Sequence, residues 1–290
     1  LSKVIQAFIH SGYFVLNLME EDHLELFDRQ KAQLVAKTIV PVAEMYHRVK
    51  WLGWENIPDE VFLGVGNHTG MHFMPESVLW VGKYQLENRP IPMLTLIHHM
   101  THRLAKMAKL PVNELGLLEA KRQNALDALH AGFAVTVYPG GDRDVARPFS
   151  DRHKINFFDH LGYIKMALKA QVPILPIVGC GGGEAAFVIN SGEKIAEWTG
   201  LKRFAKIHTW PLYWSFPFGL HLGHFPHFEL PLPTQMTMSI LEPYYLNDYG
   251  PEDADNSEVV EHINNDILGL MQNELDELSK GRIPILGKVF

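Results

Sequence analysis

The chain has one cysteine, Cys180, in 290 residues, which excludes an intrachain disulfide and fits a reducing compartment. It has no basic excess. A net charge of -7 argues against a nucleic-acid binder, which would carry a basic patch or a high pI. It has no uninterrupted apolar run of the ~20 residues that a membrane span requires. Residues 4–19 come nearest, but Gln6, His10, Ser11 and Asn17 break them. That stretch reads as a helix packed on the protein's own core or as an interfacial helix lying on a membrane. A basic start and a small-residue cleavage site are both missing, so no secretory signal stands out, and the sequence begins at Leu1 as a trimmed chain would. Internal repeats and low-complexity segments are absent. So is the Gly-x-Ser-x-Gly elbow of serine hydrolases.

Hydrophobic residues make up 47% of the chain, enough for a substantial core. Residues 1–45 read as a helical segment that Pro41 interrupts, and 46–290 as an α/β domain. Strands are expected at 61–65, 92–97, 133–138 and 174–178. Pro176 lacks a ladder donor and implies that the last of these is short or lies at a sheet margin. In 114–130, Leu115, Leu118, Leu126 and Leu129 recur at helical spacing, with Gly132 as a stop. In 157–170, Phe157, Leu161, Ile164 and Leu168 form another apolar stripe. Asp255 and Glu258 resemble a capping pair before a final helix that ends ahead of Gly281. The expected fold is a single α/β domain with a mixed central sheet, flanking helices and a helical N-terminal segment.

Two polar turns follow expected strands. Asn67-His68-Thr69-Gly70 follows 61–65, and Tyr138-Pro139-Gly140-Gly141-Asp142-Arg143-Asp144 follows 133–137. Loops held by buried strands are where function concentrates. An imidazole at His68 is suited to take a proton from an alcohol if a carboxylate orients it, and Glu76 is the acid within reach along the chain. With 16 histidines, a nearby carboxylate also arises by chance. The glycine pair lets backbone approach a ligand, with Arg143 adding a fixed charge. A plain Pro-Gly turn with a solvated Arg-Asp pair is the alternative.

Taken with the helix block 162–168 and the strand block 172–177, these turns resemble those of the glycerolipid (lysophosphatidic-acid-type) acyltransferase superfamily. They lie closer to the branch that acylates neutral alcohols such as diacylglycerol or phytol. The lead-in is Val49-Lys50-Trp51-Leu52-Gly53-Trp54-Glu55-Asn56-Ile57-Pro58. The usual His-x4-Asp is broken, because the fifth position is Phe73, with His72 before it. In some relatives the acid follows a Pro about eight residues after the His, and Pro75-Glu76 fits that variant. The resemblance implies acyl transfer from an acyl thioester, on CoA or acyl carrier protein, to the hydroxyl of a lipid acceptor. His68 would be the general base and Glu76 its orienting acid. Asn67, Thr69, Gly140, Gly141, Arg143 and Asp144 would bind substrate, with oxyanion donors near Gly140-Gly141. It implies no metal and no cofactor beyond the thioester co-substrate. Location would be cytoplasmic, including the cytoplasmic face of a membrane. An esterase or lipase-like hydrolase and a non-catalytic lipid-binding protein with a degenerate site are the alternatives.

Other features are read as structural. His98, His99 and His102 lack the Glu of a helical zinc motif. His221, His224 and His227 are loop or strand histidines. Cys180 is a small buried residue beside a glycine turn. Trp210, Tyr213, Trp214, Phe216, Phe218, Phe225 and Phe228 are mostly core, although the basic stretch Lys202, Arg203, Lys206 and His208 before them also suits peripheral membrane contact.

Overall fold

The computed structural model describes residues 24–69, 74–204, 207–224 and 230–288. Gly70, His72, Phe73, Lys206, Phe225, His227, Phe228 and the segment 1–23 lie outside them. The first half of the chain gives α1 (Arg29–Tyr46), β1 (Lys50–Leu52), β2 (Leu63–Gly66), α2 (Pro75–Leu86), β3 (Met93–Ile97), α3 (His99–Met107), β4 (Leu117–Glu119), α4 (Arg122–His130), β5 (Ala134–Val137), α5 (Gly141–Val145) and α6 (Gly162–Ala170). The second half gives β6 (Ile174–Cys180), β7 (Phe187–Asn190), α7 (Glu193–Trp198), α8 (Leu201–Phe204), β8 (Leu212–Ser215), β9 (Gly219–Leu222), β10 (Thr237–Ile240), α9 (Ser257–Ser279), β11 (Arg282–Ile283) and β12 (Gly287–Lys288).

Seven strands form the central sheet in the order β1-β10-β6-β2-β5-β3-β4. β6, β2, β5, β3 and β4 are mutually parallel, and the parallel pair β10 and β1 joins antiparallel to β6. This is the expected mixed sheet with flanking helices. Apolar residues cover both faces, as a sheet buried between layers requires. Leu63, Val65, Val135, Ile174 and Val178 pack on one side with Leu129, Ile164, Leu168, Ile263, Ile267 and Met271 from α4, α6 and α9. Phe62, Met93, Leu175, Ile177 and Met238 face Leu79, Trp80 and Tyr84 of α2. α1 lies outside α2 and buries its small residues Ala32, Ala36 and Val40. A Cβ on Gly82 would stand 2.4 Å from Val40 Cγ2, so the close approach of these helices depends on that glycine.

Several expectations are corrected. α1 runs through Pro41 to Tyr46, with the proline on the exposed face, the side on which a helix bears the loss of one hydrogen bond most easily. β6 is seven residues long and central despite Pro176. The Pro176 carbonyl accepts from Leu241 N–H just past the end of β10, so its missing donor falls where that ladder stops, before the bridge from Ile174 to Tyr244. The first part of 114–130 is edge strand β4, not helix, and the helix begins only at Arg122. Phe157 and Leu161 precede α6 rather than lying in it. The final helix is capped by Asn256, whose side chain accepts from Glu258 N–H, rather than by Asp255.

Among its described residues the aromatic stretch is not mostly core. It builds an antiparallel sheet β7-β8-β9, in which Tyr213 is buried while Trp214, Phe216 and Phe218 are exposed. Alternation explains this. Val188 and Tyr213 face Val145 and Ala146 of α5 and its end, and the opposite face carries Phe187, Trp214 and Leu220 in register.

A strap closes the fold. Arg282 of β11 makes a two-point ion pair with Glu184 at 2.7 and 3.2 Å, both side chains being fully buried. Arg282 also bonds the Gln235 side chain and carbonyl, and Glu184 accepts from Ile285 N–H at 2.7 Å.

Buried His47 donates from Nδ1 to the Thr234 carbonyl at 3.2 Å, and burial lowers its pKa. The unfolded chain therefore takes up this proton near 6.5, where the folded chain still resists it. Stability contributed by neutral His47 is present above that pH and is lost as pH falls below it. The parent is expected to lose on the order of 1 kcal/mol more than His47→Asn between about pH 7.5 and 5.5. Denaturant midpoints for both proteins at the two pH values check this.

Candidate active site

The carboxyl ends of β2, β5 and β6 meet at one edge of the sheet, the usual place for a site in an open α/β sheet. His68 stands just past β2. Glu76 stands in the first turn of α2, where Pro75 presets the helix and the helix dipole favours a carboxylate. His68 Nδ1 lies 2.9 Å from Glu76 Oε1, and the Glu76 side chain is fully buried. An ionised carboxylate only accepts, so Nδ1 carries the proton and Nε2 keeps its lone pair. The hydroxyl of Thr69 donates to Glu76 Oε2 at 2.9 Å and fixes the second oxygen.

The ring of His68 is also stacked on Tyr138, with centroids 4.5 Å apart and planes 14° from parallel. Tyr138 is buried, and burial pushes its phenol far above the usual range, so it is a neutral platform. A Cβ on Gly66 would stand 2.5 Å from that ring, which makes Gly66 a condition of the stack.

The peptide around His68 is clamped. Its N–H donates to Asp144 Oδ2 at 2.7 Å, and its carbonyl accepts from Arg147 at 2.5 Å. Arg147 completes the loop by bonding Asp144 Oδ1 at 2.6 Å and also holds the Lys154 carbonyl. Burial pushes the Asp144 carboxyl up, and the Arg147 guanidinium and the His68 N–H pull it back. The structure thus brings His68, Glu76, Thr69 and Asp144 together.

Three of the expected substrate-binding side chains are committed elsewhere. The Asn67 amide is spent on Gly179 of β6, donating at 3.1 Å and accepting at 2.9 Å. Asp144 is spent on His68 and Arg147. Arg143 pairs with Glu193 at 3.1 Å and lies over the Phe158 ring at 3.9 Å. Gly141 takes a positive φ of 58° and gives its N–H to the Tyr138 carbonyl. A Cβ on Gly140 would meet Asp144 Cβ at 2.3 Å, so that glycine makes room for the clamp.

Sequence reasoning missed Arg147, the stacking role of Tyr138 and the packing on Thr69 of glycines in and just after β6. Gly182 presses on Thr69: a Cβ there would stand 2.1 Å from Thr69 Oγ1, and on Gly179 2.8 Å from Thr69 Cγ2. Gly182→Ala is therefore expected to displace the Thr69 hydroxyl and lower kcat about tenfold, with a stability loss of ~1–3 kcal/mol from overpacking. Steady-state kinetics together with a melting curve checks it. Among the described residues no group of three His, Cys, Asp or Glu is placed to hold a metal ion.

No family model matches the sequence. The chain is 26% identical over 238 residues to an uncharacterized protein of Mycobacterium leprae, covering 82% of this chain and 62% of that one. A Mycobacterium tuberculosis protein, also uncharacterized, shows the same identity over 82% of this chain and 63% of its own length. The chain thus spans less than two thirds of the length of these curated relatives. A Gallus gallus protein named "DGAT1/2-independent enzyme synthesizing storage lipids" is 27% identical over 180 residues, 60% of this chain and 50% of its own. The crystal structure of a 1-acyl-sn-glycerophosphate (LPA) acyltransferase, PlsC, from Thermotoga maritima superposes with a TM-score of 0.49 at 16% identity, over 94% of this chain and 90% of that one. Among the described residues no helix is long and apolar enough to cross a membrane.

Proposed function

We propose that this chain is an acyltransferase that moves a fatty acyl group from an acyl thioester, on CoA or acyl carrier protein, to the hydroxyl of a lipid alcohol. The observation that carries the reading is the 2.9 Å contact of His68 Nδ1 with buried Glu76, which leaves Nε2 as a base. The Gallus gallus relative, named for storage-lipid synthesis, supports it.

In this mechanism Nε2 takes the proton of the acceptor hydroxyl as its oxygen attacks the thioester carbonyl carbon. Glu76 stabilises the imidazolium that forms. The tetrahedral oxyanion collapses, the carbon–sulfur bond breaks, and the imidazolium returns its proton to the thiolate. Gly140 N–H, the backbone donor of the glycine pair not engaged by the Tyr138 turn, is the candidate oxyanion donor. Because the His68 peptide is held at both its N–H and its C=O, the base needs little reorganisation when charge develops. The acceptor comes from a membrane, so peripheral membrane contact belongs to this reading.

The test is thiol release from a panel of acyl-CoAs and acyl carrier proteins, with and without mixed lipid alcohols, and with the ester product identified. Acceptor-stimulated release with ester formation supports the reading. Release that ignores the acceptor indicates hydrolysis and overturns it.

A further inference from the structure

α3 is amphipathic in the wrong direction for a helix that covers a core. It buries His102 and half-buries Ala105 and Lys106. Its large apolar side chains point away: Leu104 is 60% exposed and Met107 59%, and Leu110 just beyond the helix is 56% exposed. Leu104 and Met107, three apart on the helix, share one face, and Leu110 follows where the chain leaves the helix through Lys109 at φ 56°. Arg103 on the helix and Lys109 just past it are also exposed. Exposed apolar side chains interleaved with exposed cations call for a partner that is apolar below and anionic at its surface.

Charge narrows the partner. No acidic residue occurs between Glu87 and Glu114; Arg89 in that stretch is paired with Asp59 at 3.0 Å, whereas Arg103, Lys106 and Lys109, with His98, His99 and His102, lie on α3 or at its ends. The chain as a whole carries -7. This is a local basic island on an acidic protein.

Position ties the island to the active site. β3 runs parallel to β5, so α3 starts at the same sheet edge as the turn after β5. His98, the N-cap of α3, lies within electrostatic reach of Asp142 and His208. Those two are bonded to each other, with Asp142 Oδ2 accepting from His208 N–H at 2.6 Å. The helix therefore borders the turn that clamps His68.

We infer that the outer face of α3, continued to Leu110, docks on an anionic lipid bilayer surface. Leu104, Met107 and Leu110 enter the boundary between headgroups and acyl chains, and Arg103 and Lys109 reach lipid phosphates. Flexible Met107 adapts to an irregular apolar surface. The inference rests on the lipid-acceptor reading for why a bilayer meets this edge, but its test requires no turnover.

The test is flotation of the full chain with vesicles of phosphatidylcholine alone and of phosphatidylcholine mixed with phosphatidylglycerol. The parent is expected to prefer the anionic vesicles and to lose that preference in high salt. Arg103→Gln/Lys109→Gln is expected to bind anionic vesicles about 30-fold more weakly, at about fivefold per cation, and neutral ones unchanged. Leu104→Ser/Met107→Ser is expected to bind both kinds at least about tenfold more weakly. Melting temperatures should stay at the parent's, because these side chains are already in water. The inference falls if the parent binds no vesicles or ignores lipid charge. It also falls if both α3 variants bind as the parent does, including the case where Trp214→Ser/Leu220→Ser alone abolishes binding and so moves the docking face to β7-β8-β9. Vesicle binding as expected without ester formation would sink the acyltransfer reading and leave this one standing. Ester formation without vesicle binding would do the reverse.

Discussion

His68→Ala is expected to reduce acceptor-dependent thiol release by about 10²–10⁴-fold, the usual contribution of a positioned general base. Glu76→Gln should come close to the same loss. The amide keeps the size of the carboxyl but removes the charge that stabilises the imidazolium. It can also turn its NH2 toward Nδ1 and force the proton onto Nε2, where it blocks the base. The two losses should not add: His68→Ala/Glu76→Gln should be about as slow as His68→Ala alone, since both act through one proton transfer. Thr69→Val should cost less, because it frees only one carboxylate oxygen. Turnover of the four variants, each with a melting curve, settles the matter. If Glu76→Gln turns over like the parent, Glu76 is not the partner of His68 in catalysis, and the contact at 2.9 Å is structural.

Arg282→Met carries the largest expected effect on stability. The Glu184–Arg282 pair is fully buried on both sides, and removing one member leaves an unpaired charge in the interior, a loss of ~3–5 kcal/mol. Glu184→Gln/Arg282→Met should recover part of that loss, because the stranded carboxylate is gone. Denaturant unfolding of the parent, the single variant and the double variant gives the comparison. If the single variant unfolds at the parent's midpoint, water reaches Glu184, and the pair does not behave as buried. Activity should fall with stability here, since Glu184 ends the turn Gly182–Glu184 that presses on Thr69.

The parallel strands β2, β3, β5 and β6 were legible because each is a short apolar run, a pattern that buried strands impose whatever their neighbours, whereas the parallel pair β1 and β10 was not. Nor was β4. Leu115 and Leu118 are three apart, which suits a helix, and only pairing of Leu117–Glu119 with β3 makes that stretch extended. Pro176 misled because a proline's tolerance depends on which carbonyl faces its nitrogen, and that is settled by where β10 ends. The aromatics from Trp210 onward misled because their area suggests burial, whereas alternation in a thin sheet exposes half of them.

At the site, Glu76 was legible as the acid within reach of His68 along the chain, but spacing among 16 histidines gave that pairing little weight, and the resemblance supplied the rest through Pro75-Glu76 in place of an acid at Phe73. Asn67, Asp144 and Thr69 were recognisable as special, but their work is to hold backbone and Glu76. Arg147 had no signal at all: it is one more arginine after a helix turn until the fold sets it against a carbonyl 79 residues earlier.

The strap formed by Arg282 has a consequence for biosynthesis. Its partner Glu184 precedes it by 98 residues, so on the ribosome Glu184 is made long before its counter-charge emerges. Until then, burying that carboxylate is unfavourable, and the glycine turn that seats Thr69 cannot lock. The turn beside Thr69 is thus expected to become ordered only once the chain has been made as far as Arg282.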